Sequence, residues 1–308
     1  MDRSILGFPA LSGMEYPRLT EQGLLSVVED FQALLGLGVA ERAKVRVLMT
    51  SASRGFTKEV SEALPNLELV TSQGAGTDKI DFDALEDAKI KFRSIGEAVT
   101  DDVADLAMAF INMLFRNLLN ADRFARSGVW EQKRFELGES LVGKTVGIAG
   151  LSGRVGQAIA LRARASKMKV TGLDRPSNHG LAETLHPDWA SMALASDVLV
   201  LAVPGHGSLR SVINAEVLEA LGPKGYIVNV GRGSLVDTIA LTDALETGAI
   251  AGAALDVLAE EPKVPERLRT LNNVILSPHI GAQTWGQRAR AAAIAENEIL
   301  AFLEKAEG

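Results

Sequence analysis

Gly147-Ile-Ala-Gly-Leu-Ser-Gly-Arg-Val-Gly156 is the stretch on which the reading of this chain turns. It joins an apolar run at 145–149, read as a strand, to a helix-forming segment at 154–166. Glycines at such a junction permit a tight turn and close backbone approach, and the first helical turn offers free N–H groups to a pyrophosphate. Gly153 and Gly156 are therefore candidate cofactor contacts. Asp174 follows the next predicted strand, 18 residues beyond Gly156. A carboxylate there suits the hydroxyls of an adenosine ribose. A purely structural glycine turn would look similar taken alone; the acidic residue and the strand context point to a dinucleotide. The glycines read G-x-x-G-x-x-G, one residue longer than the usual spacing, with Ser152 as the insertion. Asp174 repels a ribose 2′-phosphate and favours NAD, while the adjacent Arg175 admits NADP.

Outward from this stretch the pattern repeats. Strands are predicted at 145–149, 168–173, 197–202, 225–230, 250–255 and 273–277, with helices at 154–166, 188–195, 214–221 and 237–246. Six strands alternating with helices match a doubly wound parallel sheet. A second α/β series precedes it, with strands at 45–50 and 67–71 and a helix at 57–64. Residues 4–8 read as a strand and 24–35 as a helix. One long helix is expected from about Thr100 to Arg126, stopped at Gly128, and a last one at 285–304.

Composition excludes several functions. The 308 residues suit two domains, and 47% hydrophobic content supplies a substantial core. The absence of cysteine removes disulfides, thiolate metal ligands and thiol nucleophiles, and fits a reducing compartment, so a cytoplasmic location is expected. No metal site is predicted. A net charge of −7 argues against a nucleic-acid partner, and no apolar run is long enough for a membrane. Residues 1–10 lack the charged and apolar regions of a signal peptide.

Three segments in the last third carry ionisable residues at strand ends: Val228-Asn-Val-Gly-Arg-Gly233, Asp256-Val-Leu-Ala-Glu-Glu-Pro262 and Ser277-Pro-His-Ile-Gly281. Arg232, between Gly231 and Gly233, offers a planar fork that can meet a carboxylate bidentately. His279 is suited to proton delivery near neutral pH, and a carboxylate such as Glu261 orients the protonated ring. Each residue has an ordinary explanation by itself: a structural histidine, a solvated loop acid, a surface arginine. Their joint occurrence at successive strand ends suits reduction of a 2-keto acid. The remaining histidines, His179, His186 and His206, read as surface residues.

These residues carry a resemblance. From Val45 to Phe302 the chain resembles the D-isomer-specific 2-hydroxyacid dehydrogenases, through Gly74-Ala-Gly-Thr-Asp78, Val99-Thr-Asp-Asp-Val-Ala-Asp105, Asn229-Val-Gly-Arg-Gly-Ser-Leu-Val-Asp237, Asp256 to Pro262 and Pro278-His-Ile-Gly281. Within that family it is most similar to the glyoxylate, hydroxypyruvate and hydroxyphenylpyruvate reductases. The resemblance implies a Rossmann-type cofactor domain, 99–284, inserted into a smaller flavodoxin-like α/β substrate domain, 1–98 plus 285–308. It implies that Arg232, Glu261 and His279 are catalytic, and that Ala75 and Gly76 offer backbone N–H groups to the substrate carboxylate. Thr100, Arg154, Val155, Asp174, Val203, Pro204, Val230, Asp256 and Gly281 would line the cofactor, beside Gly231, Arg232 and His279. Ser53, Arg54 and Trp285 are candidates for shaping the substrate pocket.

The implied reaction is hydride transfer between NAD(P)H and a small 2-keto acid, giving the D-2-hydroxy acid. A homodimer is implied, with residues 120–139 as its arm. The rival reading is a non-catalytic NAD(H)-sensing protein or corepressor on the same fold. The departures from the family pattern are Ser152 and Leu258, where an aromatic is common.

Overall fold

The computed structural model describes residues 4–8, 13–204 and 207–307. The chain divides into two compact units, Met1–Val99 with Ala282–Gly308, and Thr100–Gly281. Among the described residues, no helix is long and apolar enough to cross a membrane and no cluster of side chains could hold a metal ion.

The smaller unit runs β1 (Ile5–Gly7), α1 (Pro17–Glu21), β2 (Leu25–Val27), α2 (Phe31–Leu35), α3 (Val39–Arg42), β3 (Val47–Ser51), α4 (Lys58–Ala63), β4 (Leu69–Gln73), α5 (Phe82–Asp87) and β5 (Lys91–Ser94). Its parallel sheet has the order β2-β1-β3-β4-β5, which is the flavodoxin-like arrangement. The helix expected over 24–35 is instead a strand followed by a helix. Asp30 breaks the segment, because its carboxylate accepts from the Ala33 amide at 2.8 Å and starts α2 there. The residues ahead of it, Leu25–Val27, pair with β1. The C-terminal helix, Trp285–Glu307, packs Ala291, Ala295 and Ile299 on the apolar cluster around Ile5 and Val47.

The larger unit runs α6 (Thr100–Phe115), α7 (Leu118–Arg126), β6 (Thr145–Ala149), α8 (Arg154–Ala165), β7 (Lys169–Leu173), β8 (Thr184–His186), α9 (Trp189–Leu194), β9 (Val198–Leu201), α10 (Ala215–Leu221), β10 (Tyr226–Asn229), α11 (Thr238–Thr247), β11 (Gly252–Leu255), α12 (Glu266–Thr270) and β12 (Val274–Leu276). All seven strands described are parallel, in the order β12-β11-β10-β9-β6-β7-β8. The sheet is buried on both faces, so its central strands are continuously apolar: Val198-Leu-Val-Leu201 is entirely inaccessible. Helix α6 presses Ala107, Ile111 and Phe115 onto Val146, Ile148 and Val228 of this sheet.

Two expectations need correction. The sheet has a seventh strand, β8, whose three residues Thr-Leu-His are too short to produce a pattern. The long helix at 100–126 is two helices, broken where Asn117 takes a left-handed conformation with φ of 49°. Asparagine tolerates that conformation better than most residues. The Phe115 carbonyl released at the break accepts from the Glu139 amide at 2.7 Å.

Two regions matter for chemistry. At the carboxyl ends of β6 and β7 lie the glycine turn and Asp174, beside the point where the chain reverses direction across the sheet. Farther along the same edge, the adjacent strands β10, β11 and β12 present Arg232, the 256–262 loop and His279.

Candidate active site

The glycine turn has no room for side chains. Gly150 has φ of 87°, and its carbonyl accepts from the Gly153 amide at 2.9 Å. A Cβ on Gly156 would lie 2.1 Å from that same carbonyl oxygen, and one on Gly150 2.7 Å from the Ala202 oxygen. Val203, at the end of β9, packs against this turn, with Cγ1 3.0 Å from the position a Gly150 Cβ would take. Pro204 is the last described residue before 205–206. Gly153 is the N-cap of α8 and has no side chain with which to cap it. The N–H groups of Arg154, Val155 and Gly156 thus open the helix where an anionic group is favoured. Such a bare cradle fits a pyrophosphate.

The inserted Ser152 is held by the loop after β7. Its amide donates to Asn178 Oδ1 at 3.1 Å, and its hydroxyl lies 3.1 Å from the Ser177 hydroxyl. Asn178 is buried and donates to the Leu173 carbonyl at 2.9 Å. The extra residue is thereby tied to the segment that carries Asp174 and Arg175. Both of these are exposed, and the Arg175 guanidinium donates to the Asp174 carbonyl at 2.8 Å. His179, read from sequence as a plain surface residue, is exposed but has its Nε2 2.8 Å from Asp174 Oδ1. His186 is half-buried rather than on the surface, at the end of β8, and its Nε2 is a buried atom with no hydrogen-bond partner. His206 lies outside the described residues.

At the other half of the edge, Asn229 braces the turn carrying Arg232. Its Oδ1 accepts from the Gly231 amide at 3.1 Å and its Nδ2 donates to the Arg232 carbonyl at 2.9 Å. Arg232 is half-buried and donates from Nη1 to the Gly231 carbonyl at 2.8 Å. Gly233 is what lets this turn meet the next one. A Cβ there would fall 1.9 Å from the Leu258 carbonyl carbon, in the loop that leads to Glu261. Val230 sits on the same turn, half-buried.

Asp256 pins the third segment. It is 2% exposed, and its Oδ1 accepts from the Ser277 hydroxyl at 2.5 Å and the Ile280 amide at 2.8 Å. Its Oδ2 accepts from the Gly281 amide at 2.9 Å, and its carbonyl from the His279 amide at 2.9 Å. Within that clamp His279 has φ of 56°, a conformation uncommon outside glycine. His279 Nδ1 is 2.8 Å from Glu261 Oε2, while Glu261 Oε1 accepts from the Leu258 amide at 3.0 Å. A carboxylate only accepts, so Nδ1 carries a proton.

The structure therefore brings Glu261 and His279 together directly, and Arg232 onto the turn packed beside Leu258. Sequence reasoning missed the clamping role of Asp256 and the contributions of Asn229, Ser277 and His179. The apolar strand ends preceding Asn229 and Asp256 were the available signal, because a polar residue continuing a buried strand needs partners.

Thr100 is the first residue of α6, and its hydroxyl oxygen is buried with no hydrogen-bond partner. The other expected residues lie on the smaller unit. Ala75 and Gly76 follow Gly74, whose φ is 102°, in the turn after β4. Ser53 and Arg54 follow β3, and a cavity of about 60 Å³ opens among Phe8, Tyr16, Thr50, Ser51, Arg54 and Gln73. Arg54 stacks 5.0 Å above the Phe8 ring. Burial pushes the Tyr16 hydroxyl above its ordinary pKa, with Glu296 adding to the effect. Trp285 is 76% exposed, with its ring against Gly13.

The model of the D-isomer specific 2-hydroxyacid dehydrogenase NAD binding domain matches residues 108–281, more than half of the chain. The chain belongs to that family. As one of these dehydrogenases it uses a nicotinamide dinucleotide, in keeping with the bare glycine cradle. It is 42% identical over 243 residues to a glyoxylate/hydroxypyruvate reductase A of Arabidopsis thaliana, covering 79% of this chain and 77% of that one. It is 38% identical over 255 residues to the hydroxyphenylpyruvate reductase of Plectranthus scutellarioides, covering 83% and 79%. Among solved structures, the NADPH-dependent glyoxylate/hydroxypyruvate reductase of Sinorhizobium meliloti, in complex with NADP and malonate, superposes with a TM-score of 0.84. That structure is 35% identical and covers 98% of this chain and 94% of its own.

The Asp256 clamp is directly testable. Asp256→Ala should destabilise the larger unit by about 2–5 kcal/mol in denaturant, because three donors lose one buried, charged acceptor at once. Amide exchange at Ile280 and Gly281 should accelerate in step; unchanged protection there would show that other contacts hold the loop.

Proposed function

We propose that this dehydrogenase reduces small 2-keto acids of the glyoxylate and hydroxypyruvate type to D-2-hydroxy acids. The observation that carries the reading is the His279–Glu261 pair, 2.8 Å apart, which joins the segments after β12 and β11, with Arg232 on the turn after the adjacent β10. The names of the relatives support the substrate class.

A nicotinamide dinucleotide held here would supply the hydride. Arg232 grips the substrate carboxylate and polarises the keto oxygen, using a fork whose backbone is braced by Asn229. Glu261 holds Nδ1 of the His279 ring, so Nε2 is the nitrogen assigned to give its proton to the keto oxygen. Along the other half of the edge, the α8 N-terminus holds the pyrophosphate and Asp174 the adenosine ribose. Thr100, Val203, Pro204, Val230 and Gly281 line the remainder of the cofactor. The three relatives described above are all named as reductases, and the non-catalytic sensing alternative is not favoured.

A panel of glyoxylate, hydroxypyruvate, pyruvate and phenylpyruvate, followed by loss of NADH or NADPH absorbance, tests the reading. Turnover is expected with at least one of the first two; tight cofactor binding without turnover of any keto acid would overturn it. His279→Gln should lower kcat by about 10²–10⁴-fold while leaving cofactor affinity nearly unchanged. Wild-type turnover in that variant would remove His279 as the proton donor.

The homodimer is proposed to form through residues 120–139 and their surroundings. The support is a set of exposed large apolar side chains on that segment and beside it, among them Leu119, Trp130, Leu137 and Val142. Leu137 is completely exposed in the single chain. Light scattering should give twice the monomer mass, and Trp130→Glu with Leu137→Glu should shift it to the monomer. A wild-type mass equal to one chain would exclude the dimer.

A further inference from the structure

The segment Asp174-Arg-Pro-Ser-Asn-His179 closes on itself at the carboxyl end of β7. Its ends meet: His179 Nε2 is 2.8 Å from Asp174 Oδ1. Between them, buried Asn178 fixes the loop to Leu173 on one side and to the inserted Ser152 on the other. The imidazole is thus supported by a loop anchored at two points. Because a carboxylate only accepts, Nε2–H is the donor of this pair, and Nδ1 is the nitrogen that gains or loses a proton.

We infer that His179 is a specificity residue for the adenosine end of the cofactor, setting how strongly Asp174 rejects a ribose 2′-phosphate. The inference rests on the assignment of Asp174 to the ribose. With a neutral imidazole, the Asp174 carboxylate and the Arg175 guanidinium cancel, and the carboxylate nearest the 2′-position repels a phosphate. Protonation at Nδ1 turns the pair into an ion pair of no net charge. Arg175 then leaves the loop with one net positive charge. NADP is accepted better in that state and NAD is little affected, because its ribose hydroxyls are neutral.

The sign is fixed by the chemistry. Imidazole gains its proton as pH falls between about 8 and 5, so preference for the phosphorylated ribose rises toward acid pH. The second ionisation of the phosphate, near about pH 6, changes the ligand's own charge in wild type and variants alike, so the contribution of His179 is the difference between the wild type and His179→Gln. Other charged or titratable groups on the elements around this loop are Arg154 at the start of α8, and His186 and Asp188 at the end of β8. His186 is the one other imidazole among these. Its main-chain carbonyl accepts from the Asp174 amide at 2.6 Å, and its effect on the pair is separated by substitution.

Binding of adenosine 2′,5′-bisphosphate and adenosine 5′-monophosphate, measured by calorimetry on the whole protein, tests this without turnover. In the wild type, the affinity ratio in favour of the bisphosphate should rise roughly three- to tenfold between about pH 8 and about pH 6. In His179→Gln the ratio should rise clearly less over the same interval, and His186→Gln should retain the wild-type rise. Asp174→Asn should favour the bisphosphate at both pH values. A wild-type ratio independent of pH, or an equal rise in His179→Gln, would overturn the role of His179. Binding of neither nucleotide at either pH would instead remove the ribose assignment beneath it.

Discussion

A single buried carboxylate organises the chemical edge of the larger unit. Asp256 lies just past β11 and collects hydrogen bonds from Ser277, Ile280 and Gly281, all beyond β12. A charge buried to this extent is tolerated only when its lone pairs are filled. Filling them bends the 277–281 segment back over the strand ends and holds His279 in a left-handed conformation. Glu261 can meet His279 because Asp256 has already fixed where the ring starts. Arg232 depends on a parallel device one strand away, where Asn229 closes the turn through Gly231. In both cases the reactive side chain is partly exposed, while the residue that aims it is buried.

The glycine turn obeys the same logic with the polarity reversed. Gly150, Gly153 and Gly156 leave main-chain amides as the groups presented, and the closest contacts a side chain would meet there are with backbone. The inserted Ser152 lengthens the turn, and its bonds to Ser177 and Asn178 absorb the extra residue. Those bonds couple the glycine turn to the loop that carries Asp174. A change in the loop after β7 is therefore felt in the turn before α8.

Much of the architecture was legible from residue order. Alternating apolar strands and helices gave nearly every element of the larger unit, because a parallel sheet buried on both faces demands continuous apolar runs. Legibility failed where elements are short or where one residue changes the backbone. β8 has three residues and no pattern; β2 reads as part of a helix because only the Asp30 cap divides it from α2; α6 stops because Asn117 turns left-handed. Of the candidate site, Arg232, Glu261, His279 and the glycine turn could be named from residue type and spacing. Their supports could not, since Asn229, Asp256 and Ser277 are ordinary polar residues until their partners are known.

Sequence by itself determined the fold class and the dinucleotide turn and named the candidate reactive groups, because each depends on local spacing and residue chemistry. Tertiary structure decided that Glu261 contacts His279 across 18 residues, that Asp256 holds the 277–281 segment, and that His179 returns to Asp174. Hydrogen bonds between strand ends depend on the order of strands in the sheet and on the paths of the loops. Neither is written in the spacing of the residues that form them.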